Sequence, residues 1–154
     1  MLFSPKQSFE SMKTFLFTLL LFFFYSNVDA QTTANIQVSV DAIEATGEGT
    51  LVFMLFATAD GFPSEAGKAK QIGRVSNYTS SATYTFSEIP AGQYAVAVFQ
   101  DKNNNGQVDT NFMGMPKEPV GAYQHSRFGR PNFTKCSFTH GSSNARLQVQ
   151  LMNQ

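Results

Sequence analysis

From Ala34 onward, apolar side chains recur at every second residue in one short stretch after another. Successive residues of a strand point to opposite faces, so this spacing dictates strands with one face buried. In "ANIQVSV", Ile36, Val38 and Val40 alternate with Gln37 and Ser39. In "ATYTFSEI", Tyr84 and Phe86 alternate with Thr83 and Thr85, and in "ARLQVQL" Leu147, Val149 and Leu151 alternate with Arg146, Gln148 and Gln150. "GTLVFMLFA" and "QYAVAVFQD", the latter following a Pro90-Ala91-Gly92 turn, are apolar at consecutive positions, as in central strands covered on both sides. "NFTKCSFT" reads as one more strand, and residues 64–71 have room for one short helical turn. Short strands separated by turn signals predict an all-β domain, a single antiparallel β-sandwich with one long Asn/Gly-rich loop. That loop runs from about Asp101 to Pro131. An irregular segment of such length in a compact domain is uncommon and is generally functional or mobile.

The first thirty residues have a different grammar. Lys6 and Lys13 precede the apolar run "TFLFTLLLFFFY", and "VDA" follows with small residues at Val28 and Ala30. This is the pattern of a signal peptide, and the run is shorter than the roughly 20 apolar residues of a membrane-spanning helix. The expected organisation is a signal peptide over residues 1–30, cut after Ala30, and a β-sandwich domain over residues 31–154, exported to the periplasm or the extracellular space. The alternative is an uncleaved N-terminal anchor. The residue directly after the cut is Gln31 and not cysteine, which argues against lipid attachment, and no membrane span is expected after cleavage. The formal net charge is zero with or without the leader, so there is no basic excess to attract nucleic acid or an anionic membrane. Cys136 is the only cysteine, so no disulfide forms within the chain; its alternating surroundings read as core. The expected state is a monomer with an unidentified envelope or extracellular ligand.

The long loop opens with "DKNNNGQVD". A hard cation such as calcium takes six to eight oxygens at about 2.3–2.6 Å, and a tightly curled chain supplies them from alternate residues. Asp101, Asn103 and Asn105 stand at positions 1, 3 and 5 of such a curl, with Gly106 at the bend, Gln107 offering its carbonyl at position 7 and Asp109 at position 9. Position 12 is Phe112 where a helix–loop–helix site has glutamate, and the loop follows a strand, so this is not an EF-hand. Glu118, in "MPKEPVG", is the nearest candidate for the missing carboxylate. So few charges imply weak binding, on the order of 10⁻⁴–10⁻³ M, as in extracellular modules. The competing reading is a metal-free hairpin, since Asn-Gly is a strong turn signal and Asn and Asp order turns through their own side chains.

Other chemistry is thinner. His125 and His140 lack the spacing of a zinc site. Tyr123, Arg127 and Phe128 offer aromatic and basic groups to a sugar-like or anionic ligand, the basis of an alternative carbohydrate- or peptide-binding reading. Asp101 with Asp109 or Glu118 would be the acid–base pair of a hydrolase, but closely spaced carboxylates in an Asn-rich turn are usually ligands or caps. No nucleophile elbow, phosphate loop or dinucleotide fingerprint is present, and a non-enzymatic module is expected.

The segment "IPAGQYAVAVFQDKNNNGQVDTNFMGMPKEPVGAY" resembles the small exported bacterial proteins grouped as domain of unknown function 2141. The shared features are Pro90, Gly92, Tyr94, Ala95 and Val96; then Asp101, Asn103, Asn105, Gly106, Asp109 and Asn111; then Gly114, Pro116, Glu118 and Gly121. The chain departs from the family pattern after Gly121, reading "AYQHS" where members carry a Ser-Asn-rich run. The resemblance implies an exported domain without assigned activity, and brings Glu118 into the same motif as the loop. "IPAGQYAVAV" is also similar to transthyretin-like and carboxypeptidase-regulatory-like sandwiches, which implies an accessory, non-catalytic domain.

Overall fold

The structure, a computed structural model, describes residues 32–41, 43, 48–125 and 129–152. The leader expected over residues 1–30, with its expected cleavage position, lies outside the described residues, as do Arg127 and Phe128. The strands are β1 (Thr33–Asp41), β2 (Thr50–Phe56), β3 (Gln71–Val75), β4 (Ser81–Pro90), β5 (Gly92–Asp101), β6 (Val120–Ala122), β7 (Ser137–His140) and β8 (Ala145–Val149). A 3-10 turn at Ala66–Lys68 falls within the stretch given room for one. No described helix is long and apolar enough to cross a membrane.

Two sheets pack face to face, as the alternation requires. One has the order β4-β1-β8, the other β3-β2-β5-β6, with β7 also on β5. β7 pairs with Gly92–Ala95 of β5 and β6 with Ala97–Phe99, so two short strands share one edge. All strand pairs are antiparallel but one: β8 runs parallel to β1, aligning Ile36 with Ala145 and Val40 with Val149. The antiparallel expectation fails there because the last strand returns beside the first across the sandwich and not through a hairpin.

Strand parity divides the core in two. Leu51, Phe53 and Leu55 of β2 and Tyr94, Val96 and Val98 of β5 face the other sheet, where they meet Ile36, Val38, Val40, Phe86, Leu147 and Val149. The residues between them, Val52, Met54 and Phe56 with Ala95, Ala97 and Phe99, form a second cluster on the outer face. Connecting segments cover that face. Phe62 stands edge-on to Phe56 at 5.4 Å and to Phe133 at 5.8 Å, and Val108, Val120 and Cys136 join the same layer.

Three local readings change. Residues 132–136 are not strand: Asn132 accepts a hydrogen bond from the Thr134 N–H and starts a one-turn helix, α1 (Phe133–Cys136), and β7 begins only at Ser137. The Asn cap outweighs the alternation. β3 lies where the sequence pattern names no strand, because only Ile72 and Val75 are apolar in it and Gly73 leaves room for the Tyr84 ring. β6 was missed for its length of three residues.

Phe86 is fully buried between the sheets. Phe86→Ala is expected to lower stability by about 3–5 kcal/mol, read as a shift in the urea midpoint. Cys136 is buried as expected, and burial pushes its thiol above the ordinary range, against a smaller opposing pull from a backbone hydrogen bond at Asn132. Its reaction with a thiol reagent in native buffer is expected to proceed at the rate of opening, and in denaturant at once.

Candidate functional site

The row of outward-facing residues on β5 runs Ala95, Ala97, Phe99 and ends at Asp101. Strand parity therefore places a carboxylate at the edge of the outer apolar layer, where Asp101 is 2% exposed. Glu118 reaches the same place from the other end of the loop. Phe99 pairs with Val120, and the Gln100 N–H still donates to the Pro119 carbonyl at 2.9 Å. Continued two residues, that register sets Glu118, 5% exposed, across from Asp101.

Both carboxylates are occupied by backbone donors. Asp101 accepts from Asn105 N (Oδ1, 3.0 Å) and Gly106 N (Oδ2, 2.7 Å). Glu118 accepts from Lys102 N (Oε1, 2.9 Å) and Asp109 N (Oε2, 3.2 Å). The two side chains thus clamp a curl whose N–H groups have no strand to bond with. Among the described residues neither makes an ion pair; Lys102 turns instead to Glu48, 3.7 Å away.

Inside the curl the asparagines do double duty. Asn103 and Asn105 accept from the N–H two residues on, at 3.1 and 2.8 Å, as Asx turns. Their amide nitrogens donate to the two oxygens of Asp109, at 2.6 and 3.1 Å. Gly106, at φ +78°, makes the bend. Two residues not foreseen from sequence back the loop. Thr50 Oγ1 donates to Asn104 Oδ1 at 2.7 Å. Gly49, at φ +67°, lies so close to β5 that a Cβ there would stand 2.0 Å from the Asp101 carbonyl. Nothing in the local pattern at position 49 signals a contact 52 residues away.

The six predicted site residues fall into two groups. Asp101, Asn103, Asn105 and Asp109 are joined in one hydrogen-bonded curl, with exposed Gln107 beside them. Glu118 straps the root from behind. No three acidic, His or Cys side chains converge on a point among the described residues, so a cation here would rely on asparagine oxygens. The donor set still suits a hard cation, being oxygen throughout. Such an ion would compete with the two amide bonds on Asp109.

The remaining candidates lie apart. Tyr123 is half-buried, packed edge-on to Phe138 at 5.5 Å. His140 is buried at the end of β7 beside Tyr94, and His125 follows β6 with its Nε2 3.1 Å from the Gly129 carbonyl; they flank opposite halves of β5. Past the curl, Asn111 accepts from Met113 N and Met115 N at 2.9 and 3.1 Å, fixing a turn that exposes Phe112 (98%) and Met113.

Glu118→Gln keeps one acceptor and turns an amide toward a backbone N–H. It is expected to cost about 1–3 kcal/mol and to speed amide exchange at Lys102 and Asp109, while Glu48→Gln leaves both unchanged.

A family model described as "Uncharacterized protein conserved in bacteria (DUF2141)" matches residues 38–148, and the chain belongs to that family. No curated protein and no solved structure matches the chain.

Proposed function

We propose that this DUF2141 protein is an exported, non-catalytic binding module whose Asp101–Glu118 loop takes a calcium ion with low affinity. One observation carries the reading: two buried carboxylates, Asp101 and Glu118, stand at the root of one loop without a cationic partner among the described residues. Burying like charges together is costly, and backbone dipoles offset only part of that cost. Asp109 and the asparagine oxygens add further oxygen donors along the same curl, which a cation would have to draw together because the three carboxylates do not converge on one point among the described residues. Export rests on the leader of residues 1–30. The non-catalytic reading is supported by how the acids are engaged. Asp101 and Glu118 are buried and hold backbone N–H groups, and Asp109 is held by two amides, which leaves no acid–base pair open to a substrate.

Thermal unfolding of the purified protein in EDTA, calcium and magnesium tests the ion. At 10–100 times Kd, calcium adds about 1.4–2.7 kcal/mol, a rise in Tm of roughly 5–10 °C, and magnesium much less. Asp101→Ala with Asp109→Ala abolishes the increment. Equal melting in EDTA and in calcium would instead make the loop a hairpin ordered by its asparagines.

A further inference from the structure

The described residues of the connections that cover the outer face of β2 and β5 do not close over it completely. They leave a cleft of about 260 Å³. Its floor is Met54, Ala97 and Phe99, and its walls include Val108 and Met115 from the two turns of the long loop. Among the described residues Arg130 is the only charged one that lines it, and no carboxylate does. Arg130 is exposed and makes no ion pair among the described residues.

We propose that this cleft binds a single-chain carboxylate amphiphile, a free fatty acid of medium length, with its chain on Met54, Ala97 and Phe99 and its head group on Arg130. The inference rests on the reading of the domain as a binding module but not on calcium. The size sets the length. The cleft holds roughly nine water volumes, and a methylene needs about as much room as a water, so the chain has roughly eight to ten carbons. Chemistry sets the head group. A guanidinium that lines an apolar cleft and has no ion-pair partner among the described residues matches a carboxylate with two parallel hydrogen bonds. An uncharged ligand would leave that cation without a partner, and a cationic one would meet repulsion. Methionines at floor and wall adapt to a flexible chain, since their side chains repack easily. The turn that supplies Met115 also exposes Phe112 and Met113, apolar surface that no part of the core requires.

The test is calorimetric titration of the purified protein, in EDTA, with linear carboxylates from butanoate to tetradecanoate and with decan-1-ol. Each added methylene is expected to tighten binding about fourfold, levelling off near decanoate as the cleft fills. Decanoate should bind about tenfold more tightly than decan-1-ol, and Arg130→Gln should remove that difference while leaving the alcohol unchanged. Ala97→Leu, which fills the floor, should shorten the longest chain accommodated. Arg130 is exposed, so its variant keeps the test valid if the Ala97 variant does not fold. Absence of saturable binding up to millimolar decanoate would overturn the proposal. So would tightening that never levels off, or equal response of acid and alcohol to Arg130→Gln. Because calcium is excluded, failure here leaves the calcium increment in Tm to stand or fall separately.

Discussion

Burial of β5 on both faces is the constraint on which the rest of this structure depends. Its seven residues from Ala95 to Asp101 are all buried. One face is covered by the β4-β1-β8 sheet in the ordinary manner of a sandwich. Among the described residues the other has neither a third sheet nor a long helix to cover it, so the connections do so, which is why they are long. A connection that lies on an apolar face gives up water for its backbone N–H groups, and irregular chain has no ladder to replace it. Asp101 and Glu118 supply that replacement, with four backbone donors between them. The buried acids follow from the architecture before any ligand is considered. A cation at the loop would use groups the fold already needs.

The sequence displayed the sandwich because alternation is a local signal. Ile36, Val38 and Val40, or Leu147 and Val149, report their face without reference to any partner. The doubly buried runs of β2 and β5 were equally plain. What escaped was set elsewhere in the chain. β3 exists because β2 offers it an edge, and its own residues carry little pattern. Residues 132–136 alternate like a strand, yet a single Asn132 side chain turns them into helix. At the site, the regularly spaced Asp101, Asn103, Asn105 and Asp109 share one hydrogen-bonded curl. The position of Glu118 behind it depends on Gln100 meeting Pro119, and the support from Gly49 depends on β2 lying beside β5. Long-range pairings of that kind leave no trace in spacing. The cleft was invisible for the same reason: its lining comes from six separate parts of the chain.

The two turns of the long loop divide the labour. The first, up to Asp109, is polar and tied inward by carboxylates and amides. The second, around Asn111, is held by one asparagine and turns its apolar residues outward. A rigid root and an apolar tip are opposite solutions to one problem, namely how to end a segment that starts in the core. The Lys117 N–H donates to the Asp109 carbonyl at 2.8 Å and joins them, so the shape of the tip is inherited from the root.

The parallel pairing of β1 with β8 carries a consequence for how the chain acquires its structure. β1 lies between β4 and β8 and cannot be complete until the last strand arrives. The Asn35 N–H, for instance, waits for Asn144, 109 residues later. Closing so long a loop must precede the contacts that reward it, which places this topology among slow folders. A ribosome still holding residues 145–149 therefore holds a chain whose first strand has a bare edge, and the domain sets only when that segment is free.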